Sequence, residues 1–312
     1  MGIPGLNRFI LQRTKGRSVQ TISFRSLRGH RVAIDISMYL YRAIGGVGVS
    51  TGLYQIIGAM RRAGAEPVFV FDGKPPADKG EVLAKRRSTR VSAERRLEAI
   101  EAIGEPTPAE CNLAAKLRKQ TVRVRWEDRE LAKAFVTAAG CDWWQANGEA
   151  DSLCVALCQE GDVWACMTDD MDIVASGCPR VLRKASFLRG RCVLYDAARI
   201  AQDIGLPTSD WAAWAALAGC DYGGGDGVAT AYDAMLGGGS PLSQKQERSK
   251  QLLETWQRGS QHLGSYHPRR EVDYVQLAAL LREEGLVFAP HCSIASIAPR
   301  KTVEDNIRVM SK

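Results

Sequence analysis

Acidic side chains recur in this sequence at the ends of apolar runs, spaced so that they could act together. Gly148-Glu149-Ala150-Asp151 is followed by an apolar run, Leu153 to Leu157. A short β-like segment, Val163-Trp164-Ala165-Cys166-Met167, then leads into Thr168-Asp169-Asp170-Met171-Asp172. Asp170 and Asp172 are two apart, so in an extended chain they face the same way. Carboxylates brought to one place repel unless something positive lies between them. An oxygen-only donor set of that density suits Mg²⁺ or Mn²⁺ rather than zinc. The same residues also read as ordinary structural punctuation. Glu149 and Asp151 suit a helix N-terminus, and Asp169 to Asp172 a surface turn. Both readings stand at this level.

The elements that would position these acids follow from hydrophobic patterning. Arg31-Val32-Ala33-Ile34-Asp35-Ile36 reads as a buried strand with Asp35 set among apolar residues. A buried carboxylate is costly unless paired or bound to a cation. Pro67-Val68-Phe69-Val70-Phe71-Asp72-Gly73 reads as a second buried strand ending in an acid and a turn. Two such strands separated by helical sequence predict a parallel βαβ sheet, and sites collect where its strands end. The fold class expected is α/β, a mostly parallel central sheet flanked by helices. Cys141 to Trp144 adds a short strand, and 181–184 with 192–195 a β-hairpin at the sheet edge. Helices are expected near 196–204 and over Trp211 to Leu217. The second ends in Gly219-Cys220-Asp221-Tyr222-Gly223-Gly224-Gly225-Asp226-Gly227. That bend can present backbone N–H groups to a phosphate, or it is a loose helix–helix turn. Asp221 is a further acid at the end of an apolar element. Residues 237–267 read as a peripheral connection with one helix near 244–257, and Val275 to Leu281 as a last helix.

Charge is unevenly spread. The 312-residue chain carries 42 Lys and Arg against 35 Asp and Glu, a net +7, with a pI near 9.0. Such a surplus permits a polyanionic partner. Residues 74–133 hold fifteen of the basic and ten of the acidic residues, most of the surplus. Their pattern is helical and is broken at Gly104-Glu105-Pro106-Thr107-Pro108. The segment reads either as a solvated helical hairpin or as an arm that grips phosphates. Nine cysteines, an odd number without a CxxC pair, predict free thiols in a reducing intracellular compartment. No run of apolar residues is long enough for a membrane span, and the N-terminus does not read as a secretory signal.

Taken together, these stretches resemble the flap endonuclease/XPG family of structure-specific 5′ nucleases. MGIPGL resembles the family's start, AIDISMYLYR its first acidic strand, and VFVFDGKPP its second acid. Lys79-Gly80-Glu81 and Ala84-Lys85-Arg86-Arg87 resemble the base of its helical arch. GEADSLC and TDDMDIVASG resemble its later acidic pairs, and LAGCDY its helix-turn-helix entry. The order matches over about residues 1–235.

The resemblance implies a PIN-like nuclease core with a basic helical arch insertion and a helix-turn-helix-type DNA-binding element. The core would span 1–235, divided into 1–74, an arch over 75–133 and an internal region over 134–235. A C-terminal extension would follow over 236–312. It implies two Mg²⁺ ions, with Mn²⁺ as a substitute, held by Asp35, Asp72, Glu149 and Asp151 on one side and Asp170, Asp172 and Asp221 on the other. Lys79 and Arg86 would be the arch cations that act on the scissile phosphate. Tyr41 would be the aromatic on which the adjoining base stacks. Gly2, Arg42, Lys85, Arg87, Gly223, Gly225 and Gly227 would contact DNA.

The substrate implied is branched DNA with a single-strand/duplex junction, cut by a monomer acting as flap endonuclease or 5′–3′ exonuclease in replication, repair or recombination. Two other readings are a silent nucleic-acid-binding scaffold and an RNA-cutting PIN-like ribonuclease. The first would lose metal carboxylates, and the second would lack the arch and the glycine loop. GVATA stands where the family has a GIGPK-like run, which puts the loop's monovalent-cation site in question. No glutamine-led, double-aromatic sliding-clamp motif is found near VEDNIRVMSK. The departures from the family pattern fit a trimmed viral or organellar relative, and the choice among nuclear, organellar and viral locations stays open, with nuclear favoured.

Overall fold

A computed structural model describes residues 2–74, 80–220, 224–237, 242–255 and 263–284. Chain order begins with helix α1 (Leu6–Arg13), strands β1 (Val19–Ser23) and β2 (Arg31–Asp35), helices α2 (Ile36–Ile44) and α3 (Val49–Arg62), and strand β3 (Glu66–Phe71). Two long charged helices follow, α4 (Gly80–Glu101) and α5 (Pro108–Thr121), and they pack on each other. The break between them falls where Gly104 to Pro108 predicts it. Thr107 and Glu110 close α5 with a capping box, and Pro108 opens its first turn.

The chain returns through α6 (Trp126–Ala138), β4 (Asp142–Ala146), α7 (Ala150–Glu160), β5 (Ala165–Met167) and the short α8 (Met171–Ala175). Then come β6 (Arg180–Ser186), β7 (Arg191–Asp196), α9 (Ala197–Ile204), α10 (Trp211–Ala218), α11 (Val228–Leu236), α12 (Gln244–Thr255), β8 (Gly264–His267) and α13 (Tyr274–Glu283).

Among the described residues the strands form one eight-stranded sheet in the order β1-β7-β6-β5-β2-β3-β4-β8. The five central strands, β6 to β4, run parallel, while β1, β7 and β8 run antiparallel to their neighbours. Side-chain alternation feeds a separate core on each face. Ala33, Val68, Val70 and Cys166 pack on one side with α1, α7 and α10. Val32, Ile34, Phe69, Phe71 and Met167 pack on the other with α2, α3 and α6. Each fully buried Phe or Leu contributes about 1.5–3 kcal/mol of transfer free energy, so the sheet is clamped from both sides.

Two sequence expectations are corrected. The β6–β7 hairpin is not the sheet edge, because β1 pairs outside it, Val19 opposite Tyr195. Residues 237–267 are not wholly peripheral either. Strand β8 pairs with β4, Trp143 opposite His267, and the Trp143 and His267 rings stack at 3.7 Å. Leu277 and Leu281 of α13 enter the second core.

Candidate acidic centre

Six of the seven predicted acids lie on described residues; Asp221 lies outside them. All six sit at or just beyond the C-terminal ends of parallel strands, where helices begin. Asp35 ends β2 and is also the N-cap of α2, its carboxylate accepting from the Ser37 N–H at 3.2 Å. Asp170 follows β5 and is the N-cap of α8, accepting from the Asp172 N–H at 3.0 Å. Glu149 occupies the N-cap position of α7, and Asp151 lies in its first turn. Asp72 follows β3 and accepts from the Ala150 N–H, in the first turn of α7, at 2.7 Å. The cap and metal readings of these acids therefore do not compete. The helix N-termini supply N–H donors and partial positive charge to a place where carboxylates crowd.

The reason for pairing Asp170 with Asp172 needs correction. They do not alternate along a strand. Asp172 lies in the first turn of α8, and the Asp170 cap folds back on its N–H.

Hydroxyl groups that the sequence reading did not assign to the site help hold it. The Ser37 hydroxyl donates to Asp72 Oδ2. The Thr168 hydroxyl donates to Asp35 Oδ2 at 2.9 Å and accepts from the Asp170 N–H at 3.2 Å. The available signal was positional: Ser37 is two residues after an acid, and Thr168 immediately precedes Asp169-Asp170. Gly2 comes in from the N-terminus with φ +87°, and a Cβ there would lie 2.5 Å from Asp170 Oδ1 and 2.9 Å from Asp172 Oδ1. Only glycine fits that approach.

The electrostatics carry the mark of crowded like charges. Burial, then Asp72, raises the Asp35 carboxyl to about 7. Burial, then Asp35, Asp170, Asp72 and Glu149, holds Asp151 well above the usual carboxylate range. Asp35 and Asp151 thus both feel neighbouring carboxylates. Among the described residues no three or more Asp, Glu, His or Cys side chains lie close enough together to hold a metal ion as they stand. Hydrogen bonds link the acids instead, Ser37 joining Asp35 to Asp72 and Thr168 joining Asp35 to Asp170. The donors available there are all oxygen, so the set fits hard divalent cations such as Mg²⁺.

The remaining predicted residues are distributed as follows. Tyr41 is 51% exposed on α2. Arg42, on the same helix, is ion-paired with Asp169. Buried Arg183 braces that turn by donating to the Asp169 carbonyl and to Asn7 Oδ1, both at 2.8 Å. Lys85, Arg86 and Arg87 are exposed on α4. Lys79 and Gly223 lie outside the described residues. Gly225 packs against the end of α10, leaving no room for a Cβ between Leu217 O and Gly219 N. Gly227 opens α11 at φ +88° in open space. An open cleft of about 550 Å³ lies away from the acids, lined by Ile44, Glu94, Thr121, Arg123, Arg125 and Asp128.

Fold and site define a class: α/β proteins with an acidic centre beyond the ends of parallel strands and a charged helical hairpin inserted after the second. The chain belongs to the XPG family. Residues 1–93 match the XPG N-terminal domain and residues 140–221 the XPG I-region, together more than half of the chain. Flap endonuclease 1 of Ostreococcus tauri is 34% identical over 241 residues, covering 71% of this chain and 60% of that protein. The chain thus spans about three-fifths of that relative's length.

In structure, flap endonuclease-1 from Methanococcus jannaschii matches at a TM-score of 0.66 and 20% identity, over 92% of this chain and 97% of that one. The Holliday junction-resolving enzyme GEN1, in complex with product DNA and Mg²⁺, matches at 0.58 and 22%, over 90% and 72%. These likenesses establish the fold.

Proposed function

We propose that the chain is a metal-dependent, structure-specific 5′ nuclease that hydrolyses phosphodiester bonds at single-strand/duplex junctions in DNA. The observation that carries this is the placing of Asp35, Asp72, Glu149, Asp151 and Asp170 at the N-termini of α2, α7 and α8, with Asp35, Asp72 and Asp170 tied together through Ser37 and Thr168. Membership of the XPG family supports it, as does the presence of DNA and Mg²⁺ in the GEN1 complex. Asp35, Asp72, Glu149 and Asp151 would hold one divalent ion, and Asp170, Asp172 and Asp221 a second. Bound there, such a pair supplies an activated water and neutralises charge on the attacking and leaving oxygens.

The protein's own groups do the rest. Ser37, Thr168 and the α7 N–H orient the Asp35 and Asp72 carboxylates. Arg86, with Lys79, stabilises the charge that builds on the phosphate in the transition state. Tyr41 offers an exposed ring to the base beside the cut. Lys85 and Arg87 contact backbone phosphates, which fixes register without reading sequence.

A substrate panel with Mg²⁺ tests the reading: 5′ flap, 3′ flap, blunt duplex, four-way junction and single-stranded RNA. Cleavage confined to DNA with a 5′ single strand or a junction is expected. Preference for 3′ flaps or for RNA would overturn it.

A further inference from the structure

Trp126 is 69% exposed at the start of α6, an unusual place for the largest apolar side chain. It adjoins the sequence stretch that lines the open cleft, between Arg125 and Asp128. The cleft's charges sort themselves. Glu94 lies 3.7 Å from Arg90 and 3.8 Å from Arg123, so it is neutralised from two sides. Asp128 accepts from the Arg125 backbone N–H at 2.7 Å and serves as a helix cap. The exposed Arg125 guanidinium has no carboxylate partner among the described residues and is the positive group left to meet a ligand.

Ile44, the cleft's apolar wall, lies three residues from Tyr41 on α2. Residues three apart share a helix face, about one turn from each other. The end of α2 also meets the α5–α6 link directly, a Cβ at Gly45 lying 3.2 Å from Val122 Cγ2. The cleft thus joins the Ile44 end of α2, one turn from Tyr41, to Arg125, the residue before the exposed Trp126.

We propose that Trp126 is a second stacking platform, holding an unpaired nucleobase of the displaced 5′ strand beyond Tyr41, with Arg125 on the neighbouring phosphate. The inference rests on the nuclease reading above and identifies the occupant as single-stranded nucleic acid. An exposed indole face takes any base, and an adjacent guanidinium takes the phosphate, which is the combination that non-sequence-specific single-strand binding uses.

The test is a flap-binding titration without divalent ions, so that it does not depend on cleavage. A single abasic residue is moved stepwise along the 5′ strand of a flapped duplex. Wild-type protein, Trp126→Ala and Trp126→Phe are compared. Trp126→Ala is expected to weaken binding of the intact flap at least about fivefold, the lower end of what base stacking supplies. One abasic position should weaken wild-type binding by a similar factor and Trp126→Ala not at all, while Trp126→Phe keeps most of the affinity. Equal binding by Trp126→Ala and wild type, or the same abasic profile in both, overturns the platform. If flapped and plain duplex bind alike whatever stands at position 126, the nuclease reading fails instead.

Discussion

Asp35 shows how one residue can serve the fold and the site at once. Its carboxyl caps α2, takes the Thr168 hydroxyl, and is raised from 3.8 to about 7 by burial and Asp72. The folded protein therefore holds this proton more tightly than the unfolded chain. The associated stability is fully present below about pH 4 and is lost as pH rises through 7. In metal-free buffer, the unfolding free energy should fall across that window by an amount on the order of a few kcal/mol. Asp35→Asn should flatten the fall; an unchanged pH slope in that variant would reject the assignment. On the proposed reading the ionised carboxylates hold Mg²⁺, so added Mg²⁺ should raise the melting temperature more at pH 7.5 than at pH 5.

Elements, more than residues, decide how much the sequence could reveal. Asp35 and Asp72 were legible because each interrupts or ends a dense apolar strand, and burial of a lone acid is costly. Helix α10 was legible from its unbroken apolar run and α12 from its amphipathic pattern, and helices were also expected at α9 and α13. Strands β1 and β8 were not, because their pairing depends on partners far along the chain, Val19 with Tyr195 and Trp143 with His267. The end of α13 hides a similar long-range link. Glu284 accepts from the Ser50 N–H at 2.7 Å and from the Thr51 N–H at 3.0 Å, capping α3 from more than two hundred residues away. No local pattern announces such a cap. Glu284→Ala should cost about 1–2 kcal/mol, read as a drop of a few degrees in melting temperature. An unchanged melt would mean that α3 finds its cap elsewhere.

At the scale of the whole molecule, a sheet packed on both faces fixes the strand ends, and the strand ends fix the acids. The two cores leave the acidic centre few ways to shift, with Gly2 brought against Asp170 and Asp172 from one side and the Arg183–Asp169 contact bracing the turn from another. The central claim is that this rigid frame holds carboxylates for divalent ions that cut DNA. Its most direct test is Mg²⁺-dependent cleavage of a 5′-flap duplex by Asp172→Asn beside wild type, with flap affinity measured in parallel. The account predicts a loss of roughly a thousandfold in cleavage with affinity within about threefold. Cleavage by Asp172→Asn at the wild-type rate would contradict it.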